Sequence, residues 1–233
     1  MAEPLPVVLI PGLLCSARLY APQIAALWCS GPVLVADHTR DDTMSAIARR
    51  ILADAPPRFA LAGLSMGGYI SFEILRQAPT RVARLALLDT SARADTPEQS
   101  AGRRAQMERA SQGELLQVVA EQSARLLGPA HREDRALRAE LERMAEEVGV
   151  AGFLRQQAAN IERIDSRPTL NAIRCPTLVL VGADDEVTPP ARAAEIADGI
   201  PGARLVTVPG SGHLSTLEQP EAVTRALREW LSG

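Results

Sequence analysis

The chain reads as a doubly wound α/β domain: a parallel sheet with helices on both faces, interrupted by one helical insertion. Three features of the sequence point to this. Short, continuous apolar runs of strand length recur, each closed by turn formers. Stretches with helical spacing separate them. One long strand-free segment, residues 92–167, breaks the alternation. Continuous apolar runs are expected of parallel strands covered on both faces, and strand–helix alternation builds such a sheet.

The elements follow in order. Strands are predicted over Val7 to Ile10, Val33 to Ala36 and Phe59 to Leu64, then over Leu85 to Leu88, Thr177 to Val181 and Arg204 to Val208. A helix over Thr43 to Ala53 places Met44, Ile47, Ala48 and Ile51 on one face. Further helices are predicted over Met66 to Gln77, Pro190 to Ala197 and Pro220 to Leu231, the last with proline in its first turn. Within the insertion, Leu115, Leu116, Val119, Ala120 and Ser123 are expected to share a buried face, and Leu137, Leu141, Met144 and Val148 another. The Arg/Glu-rich stretch from Arg132 to Glu147 reads as a solvated face. Because the insertion follows a strand's carboxyl end, it is expected over the crevice where such sheets bind ligands. Asp165-Ser166-Arg167-Pro168 either ties it to the core through a charge pair or forms an exposed turn.

Composition narrows the function. The 233 residues are 46% hydrophobic and 23% charged, enough apolar content for a sizeable core. Twenty-five basic against 28 acidic residues give a net charge of −3, which argues against nucleic-acid and anionic-membrane partners. Every basic residue is arginine. The absence of lysine removes Schiff-base chemistry, pyridoxal phosphate attachment and the lysine of a phosphate-binding loop. Cys15, Cys29 and Cys175 lack metal-ligand spacing, and His38, His131 and His213 lie far apart, so neither a metal nor a disulfide framework is expected and a cytoplasmic location fits. No run approaches the roughly 18 apolar residues of a membrane span. The stretch from Leu5 to Ala17 is leader-like, but Glu3 stands where a basic region belongs and Pro6 and Pro11 interrupt it; it reads as a buried strand. Leu14-Cys15 lacks the small residue that a lipoprotein site needs before its cysteine.

The chemistry concentrates where the third strand runs into Gly63-Leu64-Ser65-Met66-Gly67-Gly68 and then a helix. This is G-x-S-x-G at a strand–turn–helix junction, where small residues two before and two after the serine avoid collisions and leave its hydroxyl exposed at a helix N-terminus. A serine hydroxyl is a poor nucleophile without a base and a group to orient that base. An acid at a later strand end and a late histidine are therefore expected. Gly182-Ala183-Asp184-Asp185-Glu186-Val187-Thr188-Pro189-Pro190 and Gly210-Ser211-Gly212-His213-Leu214 supply both, in the order serine, acid, histidine. Asp184, Asp185 and Asp89 all remain candidates for the acid.

These three segments, with Glu218-Gln219-Pro220, resemble the α/β-hydrolase superfamily and are similar to small carboxylesterases and 3-oxoadipate enol-lactonases; cofactor-free haloperoxidases share much of the set. The resemblance spans both ends of the chain around the insertion. It implies Ser65 as nucleophile, His213 as general base and then acid, and Asp185 as the residue orienting the imidazole, since family spacing puts the acid three positions past the glycine. It implies an oxyanion hole from the backbone N–H groups of Met66 and Leu13. Relatives usually begin the Leu13 loop with His-Gly, whereas Pro11 stands here, which affects the loop's shape. It further implies residues 1–91 and 168–233 as the hydrolase core and 92–167 as a helical cap. About six strands are expected, the family's first two being absent, with the Val7–Ile10 run nearer a sheet edge.

The expected activity is hydrolysis of a small carboxylic ester or lactone through an acyl-enzyme, without cofactor or metal. The same triad could instead serve acyl transfer, carbon–carbon bond hydrolysis or perhydrolysis of the haloperoxidase kind, and a non-enzymatic ligand receptor is the third reading. Leu14 and Leu214, with Phe153 from the insertion, are candidate pocket residues, and their apolar character favours an uncharged acyl group. Cys15 reads as pocket lining or core, and His38 and His131 as ordinary structural or surface histidines.

Overall fold

The computed structural model describes residues 5–233; Glu3, used above against a leader peptide, lies outside them. Six parallel strands, β1 (Val7–Ile10), β2 (Val33–Val35), β3 (Phe59–Leu64), β4 (Val82–Leu88), β5 (Thr177–Gly182) and β6 (Arg204–Val208), form one sheet in the order β2-β1-β3-β4-β5-β6. Along β1, Val7 and Leu9 face one core and Val8 and Ile10 the other, as the two-residue period of a strand requires. On the Val8 side pack α2 (Met44–Asp54), α3 (Met66–Gln77) and α7 (Pro190–Gly199), through Ile47, Ile51, Ile70, Ile74 and Ile196. On the Leu9 side pack α1 (Ala21–Leu27) and α9 (Pro220–Ser232), through Leu27, Val223, Leu227 and Trp230.

The strands and helices expected from the apolar pattern all form, with shifted ends. Strand β4 starts earlier than its continuous apolar run because Arg84, inside the strand, sends its guanidinium out to donate to Trp230 O at 2.9 Å. Helix α1 lies outside the predicted elements: it is seven residues long, has proline as its second residue and carries too few apolar positions to show a period. Burial on both faces holds for β1, β3 and β5 but not for β2 and β6, which are the sheet edges. Strand β2 is half-buried, and β6 exposes Arg204, Leu205 and Thr207, so an apolar run there signals an edge strand covered on one side. Strand β1 is one position in from the edge, between β2 and β3.

Between β4 and β5 lie three helices, α4 (Pro97–Ser111), α5 (Leu115–Leu126) and α6 (Arg135–Glu162). The buried face of α5 is Leu115, Val118, Val119 and Ser123. Leu116 and Ala120, expected on it, point outward, because the true contact stripe runs one position away from the assumed one. Helix α6 is kinked at Gly149, whose φ of 68° no right-handed helix accommodates, and beyond the kink it buries Phe153, Gln156, Gln157 and Asn160. The two ends of the segment meet where the Ser166 N–H donates to Ala92 O at 2.7 Å. Arg167 pairs with its neighbour Asp165 and reaches Glu195 of α7 only at 3.8 Å. No helix among the described residues is long and apolar enough to cross a membrane.

Candidate active site

Among the described residues, three non-glycine residues hold positive φ, Leu14 (57°), Ser65 (54°) and Asp89 (43°), and each stands just past the carboxyl end of β1, β3 or β4, neighbours in the sheet. Such strain persists only where surrounding structure enforces it. At Ser65 the enforcement is visible: its N–H donates to Leu88 O at 2.9 Å, and its carbonyl accepts from the Thr90 hydroxyl at 2.7 Å. The flanking glycines are needed for space. A Cβ on Gly63 would overlap Gly67 O, and one on Gly67 would overlap Ile10 O.

The turn lifts the Ser65 hydroxyl towards His213, whose Nε2 lies 2.9 Å from Ser65 Oγ. On the other side of the ring, Nδ1 lies 2.8 Å from Asp185 Oδ2. Of the three candidate acids, Asp185 is the one that meets the imidazole. Asp184 is exposed, because successive side chains leave the strand end in opposite directions. Asp89 is wholly buried, but it accepts from the Gly182 N–H at 2.8 Å and from the Ser215 hydroxyl.

Burial opposes charge on all three groups of this cluster, and partners decide the outcome. For Asp185, burial is outweighed by His213 and by the N–H and hydroxyl of Thr188, so its carboxyl titrates below the ordinary range. For His213, burial is outweighed by Asp185, with Asp89 and Glu218 adding to it, and the imidazole is held above its ordinary value. For Asp89 the balance goes the other way: burial, reinforced by the Asp185 charge, outweighs His213 and the hydrogen bonds from Ser215 and Gly182 and pushes it up to about 8.

Glu218 carries the His213 loop. It is buried, its Oε1 accepts from the N–H groups of Gly212 (3.0 Å) and Leu214 (3.2 Å), and its Oε2 accepts from Gly128 N–H at 2.7 Å. With the His213 N–H donating to Leu126 O at 2.9 Å, both peptides around the imidazole are anchored. The Glu218-Gln219-Pro220 motif marked this residue in the sequence without revealing its role. His38 and Gln156 carried no such mark, yet both contact the loop after β1: Leu14 N–H donates to Gln156 Oε1 at 3.0 Å, and His38 Nε2 lies 3.0 Å from Gly12 O.

A cavity of about 460 Å³ opens over Ser65 and His213. Its floor includes Leu13, Leu14, Cys15, Met66 and Leu214, and the backbone N–H groups of Leu13 and Met66 have no hydrogen-bond partner among the described residues. Burial pushes the Cys15 thiol up to about 12. Phe153, expected here, does not line the cavity: it is wholly buried in the core on the Leu9 side of the sheet. The expectation of an apolar lining holds for the floor, and Val119 and Leu126 of α5 and Leu141 of α6 carry it onto the side of the inserted helices. Arg103 and Gln106 of α4, Gln122 and Arg125 of α5 and Asn160 of α6 add polar groups to that side, and the buried Asn160 Oδ1 lacks a partner among the described residues. Helical surface that sequence alone assigns to solvent thus faces an internal space. Among the described residues, no three His, Cys, Asp or Glu side chains cluster as metal ligands would.

A family profile described as alpha/beta hydrolase fold matches residues 25–220. A thermophilic esterase from Thermogutta terrifontis superposes with a TM-score of 0.89 at 32% identity, over 98% of this chain and 89% of its own. The enol-lactonase from Burkholderia xenovorans LB400 does so with 0.89 at 25% identity, over 100% and 93%. A Mycobacterium tuberculosis chain whose name refers to a non-heme bromoperoxidase is 30% identical over 193 residues, 77% of this chain and 69% of its own. With six parallel strands in one layer, helices on both sides and the profile match over most of its length, the chain belongs to the α/β-hydrolase fold family.

Proposed function

We propose that this protein is a serine hydrolase of small carboxylic esters or lactones, working through an acyl-enzyme on Ser65. The observation that carries the reading is the imidazole of His213, with one nitrogen against a strained serine hydroxyl and the other against a buried carboxylate. Ser65 Oγ attacks the carbonyl carbon as its proton passes to His213 Nε2. Asp185, ionised, stabilises the imidazolium that forms. The oxyanion takes hydrogen bonds from the N–H groups of Met66, at the N-terminus of α3, and of Leu13. Collapse breaks the bond to the alcohol oxygen, which receives the proton from His213. Water then repeats the sequence on the acyl-enzyme and releases the acid.

The relatives support the same class, an esterase and an enol-lactonase among them. Helices α4 to α6 act as a cap, since they supply one wall of the cavity. That wall's arginines and carboxamides suit a substrate bearing hydrogen-bonding groups beyond its scissile carbonyl, while the floor suits its apolar part. Three free thiols accord with a reducing compartment.

A fluorophosphonate probe is expected to label Ser65, and Ser65→Ala to abolish turnover of 4-nitrophenyl acetate with the fold retained by circular dichroism. Unchanged turnover in the alanine variant rules the mechanism out. The relative named for bromoperoxidase favours a second reading, in which hydrogen peroxide replaces water and the acyl-enzyme yields a peracid. Product analysis with and without peroxide separates the two.

A further inference from the structure

Residues Gly12 to Cys15 form a tight turn: Cys15 N–H donates to Gly12 O at 3.1 Å, and Leu14, its third residue, holds φ at 57°. Turns with positive φ at that place ordinarily carry glycine. A leucine there needs external support, and the structure supplies it from two distant places. His38, just past β2, sets Nε2 3.0 Å from Gly12 O. Gln156, on α6 beyond its kink, accepts the Leu14 N–H on Oε1 at 3.0 Å, and its Nε2 lies 3.1 Å from the same His38 nitrogen. Both side chains are buried and neither lines the cavity. The neutral tautomer with its proton on Nε2 donates to Gly12 O and holds the turn directly; the other would set two lone pairs against each other there.

Peptide planarity makes this support consequential. In a trans peptide the carbonyl and the following N–H point in opposite directions within one plane. Holding Gly12 O therefore aims the Leu13 N–H, and holding the Leu14 N–H fixes the next plane. We propose that His38 and Gln156 are positioning residues that aim the Leu13 N–H at the oxyanion, so that the cap helix α6 is part of the oxyanion apparatus as well as a wall of the pocket. The proposal rests on the serine-hydrolase reading above. It assigns a role to His38, which its sequence context leaves unremarkable, and in it a loop that begins Pro11-Gly12 draws its imidazole from the segment after β2.

The test uses His38→Phe, which keeps a ring and loses the hydrogen bond, and Gln156→Met, which keeps length and loses the acceptor. Each is paired with a variant that restores a polar atom, His38→Gln and Gln156→Glu. Displacing one oxyanion donor should lower kcat on 4-nitrophenyl acetate about 10- to 100-fold in His38→Phe and Gln156→Met. KM should stay within about threefold, because the cavity wall is untouched. Inhibition by phenylboronic acid, which forms a tetrahedral adduct, should weaken in parallel, and each polar variant should recover a substantial part of both losses. A merely structural role would not spare KM or respond to the polar replacements. The two residues lie on different elements, so failure of one variant to fold leaves the other to decide. Labelling of Ser65 by fluorophosphonate in the unaltered protein, with kcat and boronate affinity unmoved in the variants, overturns the positioning role alone. No labelling and no turnover in the unaltered protein overturns the hydrolase reading, and this proposal with it.

Discussion

A neutral imidazole at His213 is what the proposed chemistry needs, and its surroundings favour the charged form. Asp185 holds its Nδ1, and its charge outweighs the cost of burial. Since the folded-state value lies above 6.5, the imidazolium predominates at pH 6.5, and kcat/KM should rise with pH through a midpoint above that value. Asp185→Asn removes the strongest opposition to desolvation, so the residual activity should show its midpoint at lower pH, with kcat reduced roughly 10³- to 10⁴-fold. A pH–rate profile of both proteins checks the sign. Much at this scale was readable beforehand. Gly63 and Gly67 around Ser65 obey a local steric rule, so the elbow is written in five consecutive residues. Among Asp184, Asp185 and Asp89, family spacing pointed to Asp185, while the residues themselves left the choice open, because it depends on which side chain leaves a strand end towards His213, a contact across 28 residues.

At the level of elements, short segments after the strands do the positioning, and a few buried groups hold them. The four-residue helix α8 (Ser215–Glu218) exists to return Glu218 under the His213 loop, where one carboxylate accepts three backbone N–H groups. Glu218→Ala would strand those donors in a buried site. A loss of about 2–4 kcal/mol is expected, read as a lowered denaturation midpoint, together with a fall in kcat as the imidazole loses its anchorage. The faces of α5 allow a second check. Leu116→Lys should be tolerated within about 0.5 kcal/mol, whereas Val118→Lys should cost several, since Leu116 is exposed and Val118 is buried. Element type and order were legible from apolar periodicity. The face of α5 was not, because two overlapping stripes differ by one position and only packing against α6 selects between them.

For the molecule as a whole, the decisive relation is between the inserted helices and the sheet they cover. Asp95, almost wholly buried, joins Arg103 of α4 to Arg163 just past α6 at 2.6 and 2.5 Å, and Arg163 in turn stacks on Tyr69 of α3, 4.2 Å from its ring centroid. One carboxylate between two largely buried guanidinium groups is costly to remove. Asp95→Asn should lose roughly 3 kcal/mol and open the insertion first, detected as faster limited proteolysis within residues 92–167. The six strands, every helix between them but α1, the place of the insertion and the elbow motif were legible in the sequence, because periodicity and steric rules act over a few residues. The tertiary structure supplied the contact that sets Asp185 against His213, and it alone decided that polar and apolar groups of the inserted helices share the cavity and that His38 and Gln156 grip the turn after β1. Those outcomes depend on contacts between residues up to 142 positions apart, and no local pattern encodes where two distant side chains come to rest.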